Sequence, residues 1–444
     1  MLFKIYVRVC YLSLYLVICL VCTYCGTKEA NKDAISSSSK KWQVASLIDN
    51  NCGIAYNPQV AIDPNGNGIA VWREQCPPLS RQIYANYYNT NTGWGTPTRV
   101  SSNSGEAGAP QIRIYPNGNA IAIWIQSDGT YSSIYSSTYT FGSGWGPSLL
   151  VENNTGDAYL PMIAVRSNGD AIAIWQQNDG TYTSIYGNYF TSSVGWGVAT
   201  LVENNIRDAS WPDLGMNDHG DAVAVWTQSD GVATSIYANY FTIAGGWAGA
   251  TLIESSNQGA GDPQVAIDAN GVAIAVWRQN DGSYNSIYAN KYLSGIGWGS
   301  ATLLESSTGD AGHPKISFNP NGNAMAAWDQ YSGSDYCAIV NFYTSNVGWG
   351  TASTIRCNSD GLDIAYYKDG EAIAIFSSWD GSKVNLEATK YVAGNGWSSP
   401  EIISNNVVSI DAAQIATNQN GRTLAVWGVL GGVLEDKIFA NQFE

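Results

Sequence analysis

Histidine is nearly absent from this chain: His219 and His313 are the only two among 444 residues. That leaves no material for a multi-histidine metal centre and few candidates for general-base chemistry. Charge is scarce as well. Asp, Glu, Lys and Arg make up 13% of the residues, about half the usual share. The charge that exists is one-sided: 21 basic against 36 acidic side chains give a net −15. Nucleic acid and anionic membrane surfaces repel such a protein, which leaves basic proteins, cations and neutral sugars as partners. The repeated part of the chain has no helical apolar period. A Gly-x-Ser-x-Gly elbow, a zinc-binding helix motif and a phosphate loop are all missing, and no cofactor signature is found.

What the chain has in quantity is ring and turn. It carries 17 Trp, 27 Tyr and 47 Gly, a composition of short strands and tight turns. The N-terminus differs: Lys4 and Arg8 precede an apolar run from about Val9 to Cys25. A positive start and a short hydrophobic core form a signal-peptide pattern. Residues 1–25 are read as a signal peptide or lipoprotein-type leader, 26–40 as a flexible tether and 41–444 as the folded domain. Cys25 followed by a polar tether resembles a bacterial lipoprotein signal, although Tyr24 is bulkier than the small residue that signal carries. The expected location is secreted or cell-surface, with lipid anchoring as the variant, and no membrane insertion of the mature domain.

Internal repetition dominates the rest. Segments like "AIAVW" end at Trp72, Trp124, Trp175, Trp226, Trp277, Trp328, Phe376 and Trp427, a spacing of 48 to 52 residues. The unit around Trp277 shows four strand-like pieces: "PQVAID" (263–268), "VAIAVWRQ" (272–279), "NSIYANKY" (285–292) and "GWGSATLLE" (297–305). Strands one and two meet at Asn-Gly, as in Asn270-Gly271, read as a two-residue hairpin turn with positive φ at both positions. Strands two and three meet at Asp-Gly, as in Asp281-Gly282. The opening Asp-x-Asn-Gly hints at a calcium loop, but its first ligand is lost at Tyr115, Arg166 and Tyr367, so a turn is the better reading.

Eight four-stranded antiparallel meanders of about fifty residues make an all-β, eight-bladed β-propeller. The chain stops at "KIFANQFE", a third strand, and the missing fourth strand appears at the other end as "KWQVASLID" (41–49). The N-terminal strand should therefore complete the last blade and close the ring, with seven blades as the fallback. On its "NGNAIAVW" and "GWGTATLIE" units the chain resembles secreted bacterial β-propeller repeat proteins, mostly of unknown function, and more weakly bacterial propeller lectins. The sialidase Ser-x-Asp-x-Gly-x-x-Trp box and the kelch Gly-Gly doublet do not recur.

Four cysteines follow the leader. Cys52 and Cys76 map to the top of blade one, and Cys337 and Cys357 to the top of blade six, so disulfides Cys52–Cys76 and Cys337–Cys357 are expected. The repeated Trp is read as a wedge between blades. The second set (Trp94, Trp145, Trp196, Trp247, Trp298, Trp349, Trp397) should open the outer strand. The candidate ligand-binding residues lie on the top rim, two positions after the Trp and in the Asp-Gly turns: Gln126, Asp128, Gln177, Asp179, Gln228, Asp230, Gln279 and Asp281. Glu152, Glu203, Glu254 and Glu305, with Asp157, Asp208 and Asp310, add acidity to that rim. Several equivalent shallow sites would supply avidity toward a sugar.

The sequence thus favours a monomeric binding module, lectin-like, with a glycan or protein ligand. A carboxylate-based glycosidase or lyase on the top face is one alternative, and a purely structural or protein-interaction scaffold is another. No catalytic residue, metal ligand or cofactor is assigned from sequence.

Overall fold

The computed structural model describes residues 40–102, 105–404, 409–431 and 436–444. The leader at 1–25 and all of the 26–40 tether except Lys40 lie outside the described residues. Among the described residues, no helix is long and apolar enough to cross a membrane.

Lys41–Glu444 forms one compact unit of eight antiparallel sheets arranged as a ring, an eight-bladed β-propeller. Blade five shows the pattern: Ala260–Ile267 is innermost, followed outward by Ala273–Asn280, Asn285–Leu293 and the short outer pieces Gly297–Trp298 and Thr302–Leu303. Blade eight closes the ring as expected. Its Ile410–Thr417, Thr423–Val429 and Lys437–Phe443 are completed by Ser46–Leu47 from the N-terminal side. The closing seam is held by backbone bonds such as Ile48 N to Ile438 O (3.0 Å), and Asp49 accepts from Ile438 N at 2.6 Å.

The core lies between blades. Trp72, Trp124, Trp175, Trp226, Trp277, Trp328, Phe376 and Trp427 are all fully buried. Trp277 of blade five packs on Val223, Val225 and Ile236 of blade four. Small alanines beside it, Ala273 and Ala275, leave room for the ring, which is why "AIAVW" alternates small and large. Both expected disulfides are present, Cys52–Cys76 and Cys337–Cys357.

Three local expectations change. The outer strand is not continuous: only Gly297–Trp298 and Thr302–Leu303 pair with the third strand. Asn290 occupies the gap, donating to Gly299 O of its own blade (3.0 Å) and to Ile253 O of the blade before (2.8 Å). The same Asn recurs at Asn188 and Asn341. The Asn-Gly hairpin is a three-residue loop rather than a two-residue turn. In blade one Gly66 N bonds Asp63 O, Asp63 N bonds Asn67 O, and Gly66 (φ 92°) takes the left-handed conformation while Asn65 does not. The carboxylate of Asp268, which suggested calcium, instead accepts from Asn270 N and Val272 N at 2.8 and 2.9 Å.

The third change matters most for function. The innermost strand starts three residues earlier than Pro263 and passes through a β-bulge. The register of blade five breaks between Gly261 and Gln264, and all eight blades break at the equivalent place. Proline lacks a ladder donor and reads as a strand boundary; here it sits inside the bulge, where no donor is needed.

Candidate functional site

The residue before each of these prolines has positive φ. Asn57, Ala109, Leu160, Trp211, Asp262 and His313 lie between 47° and 55°, and Gly361 and Ala412 take the same place in blades seven and eight. Seven of the eight are not glycine, and a left-handed non-glycine residue costs about 1–3 kcal/mol, a cost that clusters at functional sites. The eight positions ring one mouth of the central channel, on the face where the blade links run. They are also where the otherwise repetitive blades diverge. A second variable position adjoins them, the residue after the buried ring: Arg73, Ile125, Gln176, Thr227, Arg278, Asp329, Ser377 and Gly428.

Blades two to six share a groove of about 300 Å³ at this mouth, lined by Leu160, Pro161, Met162, Trp211, Pro212, Asp262, Pro263, His313 and Pro314 among others. Trp211 stands 60% exposed, an unusual state for so large a ring. Polar groups flank the rings. Asp262 forms an ion pair with Arg278 at 3.1 Å. His313 Nδ1 lies 3.6 Å from the Asp329 carboxylate. Arg73 lies over the Tyr56 ring at 5.1 Å. The neighbouring Asp329 holds the His313 pKa above its ordinary value, and burial pushes the Asp329 carboxyl up.

Below the mouth the channel presents one side chain per blade: Gln59, Gln111, Met162, Asp213, Gln264, Lys315, Asp363 and Gln414, around a cavity of about 530 Å³. The inner strands expose unpaired edge amides here. Asp213 accepts from Val265 N of the next blade at 2.7 Å, and Asp363 from Ile415 N at 2.9 Å. Burial raises the pKa of both carboxyls.

The rim residues expected to bind ligand have a different environment. Gln126, Gln177, Gln228 and Gln279 are at most 2% exposed. Each accepts the indole N–H of the repeated Trp: Trp124 to Gln126 (3.0 Å), Trp175 to Gln177 (2.9 Å), Trp226 to Gln228 (3.0 Å) and Trp277 to Gln279 (2.8 Å). Their amide N–H groups tie into the blade links, as Gln228 does to Glu203 (3.0 Å) and to Arg207 O (2.8 Å). These amides are struts between the core ring and the link. The variation fits in two blades: Glu74 takes the indole of Trp72 at 2.8 Å, and where Phe376 has no N–H the position is Ser378; blade eight is the exception, with Val429 there and the Trp427 N–H buried without a hydrogen bond.

Asp128, Asp179, Asp230 and Asp281 are on the surface but occupied. Each carboxylate accepts two amides of its own turn, for Asp281 Ser283 N at 2.8 Å and Tyr284 N at 2.9 Å. Those bonds hold their pKa values below the ordinary range. Asp157, Asp208 and Asp310 likewise take the amides of Ser132, Thr183 and Asn285 at 2.8–2.9 Å. The outer Trp set packs against third-strand rings, as Trp298 does on Tyr292 at 5.5 Å. An apolar groove lies between outer edges at Trp196 and Trp247, and a similar one recurs at Trp298 and Trp349.

No known protein family and no curated protein matches the chain. Solved structures do. A polysaccharide lyase described as an ulvan lyase, bound to GlcA(1-4)Rha3S, is 11% identical with a TM-score of 0.51, over 78% of this chain and 96% of that one. A protein of unknown function from Dyadobacter fermentans DSM 18053 is 10% identical with a TM-score of 0.47, over 91% and 99%. Such neighbours share the propeller architecture, and at these identities that is a statement about the fold.

Proposed function

We propose that this chain is a carbohydrate-binding propeller, secreted or held at the cell surface, whose ligand seats on the channel mouth against Trp211. The exposed Trp211 ring, at a left-handed position where the blades stop resembling one another, carries the reading. A flat ring suits the C–H face of a sugar. The Asp262–Arg278 pair and His313 beside it offer acceptors and donors to hydroxyl groups. The acidic balance favours a ligand that is not strongly anionic. The ulvan lyase neighbour, named for a polysaccharide, is in keeping with a glycan ligand. Two disulfides suit an oxidising compartment.

The test is a glycan array followed by calorimetry on the selected oligosaccharide. Trp211→Ala should weaken binding about 30-fold, the ~2 kcal/mol of an aromatic hot spot. Its thermal midpoint should not move, because the ring is exposed. Unchanged affinity in that variant would refute the assignment. Turnover of a bound glycan would move the reading to a glycosidase or lyase acting through the mouth carboxylates. A captured protein without glycan binding would move it to an interaction scaffold.

A further inference from the structure

One slot at the mouth is built differently from its seven equivalents. In each blade the left-handed residue of the inner strand lies in the bulge, next to the residue that pairs with the one following the buried ring. Blade five fills this slot with an acid and a base: Asp262 meets Arg278 at 3.1 Å, and the charges cancel. Blade six reverses the two positions, placing the acid where blade five has its base. Asp329 takes the place of Arg278, His313 that of Asp262, and Asp360 reaches in from blade seven. His313 is the one side chain of the three that can carry a positive charge, and it faces two carboxylates where Arg278 faces one.

We infer that His313, Asp329 and Asp360 form a binding site for a divalent metal ion of the zinc class. One ligand atom from each residue lies within 4.8 Å of the other two. The His313 Nδ1 to Asp329 Oδ2 separation of 3.6 Å is long for a hydrogen bond. It is close to the ~3.3–3.6 Å between ligand atoms on a tetrahedral ion with bonds of ~2.0–2.2 Å. Asp329 supplies the independent indication. It is 2% exposed, and both of its carboxylate oxygens are buried without a well-formed hydrogen bond, although His313 and Gly361 N face it. A buried carboxylate in that state is costly unless a cation meets it. Asp360 is exposed and anchored by Gly361 N at 2.8 Å through Oδ1, which leaves its other oxygen for the ion. One imidazole and two carboxylates suit Zn²⁺ or Mn²⁺ better than Ca²⁺, which prefers six to eight oxygens. Three protein ligands would leave a fourth coordination position for water or another ligand.

The inference does not rest on glycan binding, and its test uses the metal alone. Tag-free protein freed of metal by chelation is titrated with ZnCl₂ by calorimetry, and with CoCl₂ followed by visible absorption. Wild type should take up one equivalent of Zn²⁺ and give the absorption bands of low-symmetry Co²⁺. His313→Gln and Asp360→Asn, both at exposed positions, should each weaken Zn²⁺ at least tenfold and remove the Co²⁺ bands, with their thermal midpoints kept. Trp211→Ala should bind metal as wild type does. Absence of uptake by wild type, or uptake unchanged in both ligand variants, would overturn the assignment.

Discussion

The rim glutamines are where sequence and structure assign opposite roles, and Gln228→Leu separates them. Gln228 is 1% exposed and makes three bonds, two of them fully buried: from Trp226 Nε1 at 3.0 Å, to Glu203 at 3.0 Å and, partly buried, to Arg207 O at 2.8 Å. Leucine keeps the approximate volume and removes all three. Each buried partner left without a bond costs about 1–3 kcal/mol. Glu203 and Arg207 lie at the blade link, where water can relieve part of that cost; the indole N–H lies between blades, where it cannot. A net loss of ~3–5 kcal/mol follows. At ~2.1 cal/mol/K per residue over the roughly 400 residues of the ring, that lowers the thermal midpoint by ~4–6 °C. The assay is differential scanning fluorimetry, paired with glycan calorimetry at a temperature where both proteins are folded. The strut account predicts the shift with affinity unchanged. A variant as stable as wild type that had lost affinity would refute the reasoning and return these residues to the ligand.

Other consequences are as definite. Glu371 is held down to about 2 from the usual 4.5, first by Lys390 at 2.7 Å and then by Lys368 and Tyr367. Because its folded pKa is depressed, its contribution is present above pH ~4.5 and is lost as pH falls toward about 2. Glu371→Gln should therefore flatten the acid limb of the melting profile over that window, and an unchanged profile would contradict the assignment. Cys337→Ser with Cys357→Ser opens a bridge spanning 20 residues. It should cost about 3 kcal/mol and make the midpoint less sensitive to reductant, as checked by melting with and without dithiothreitol.

Much of the architecture was legible because it repeats. Eight aromatic positions at near-constant spacing gave the blade count, and a third strand at one end with a fourth at the other gave the closure. The cysteine pairs could be matched because no other blade carries cysteine there. What escaped was information that a single repeat does not carry. Trp226 and Gln228 are two residues apart on one strand and so lie on one face, but whether that face meets solvent or the neighbouring blade depends on burial. Asn290 bridges two blades, a contact with no local signature. An inner strand taken to begin at Pro263 leaves out Ala260–Asp262, and the bulge that carries Asp262, Trp211 and His313 has no signature within a single repeat. The usable signal was contrast: a column holding Asn, Ala, Leu, Trp, Asp, His, Gly and Ala beside columns that barely change. Proximity of His313, Asp329 and Asp360 required the fold, since they come from three strands of two blades.

Stoichiometry tests the central claim most directly. A rim of repeated glutamines and aspartates would offer several equivalent sites per chain, whereas the mouth offers one groove beside Trp211. Calorimetry with a monovalent oligosaccharide chosen from the array measures the number of sites. The account predicts one site per chain, abolished or severely weakened by Trp211→Ala. Four or more sites that survive Trp211→Ala would contradict it.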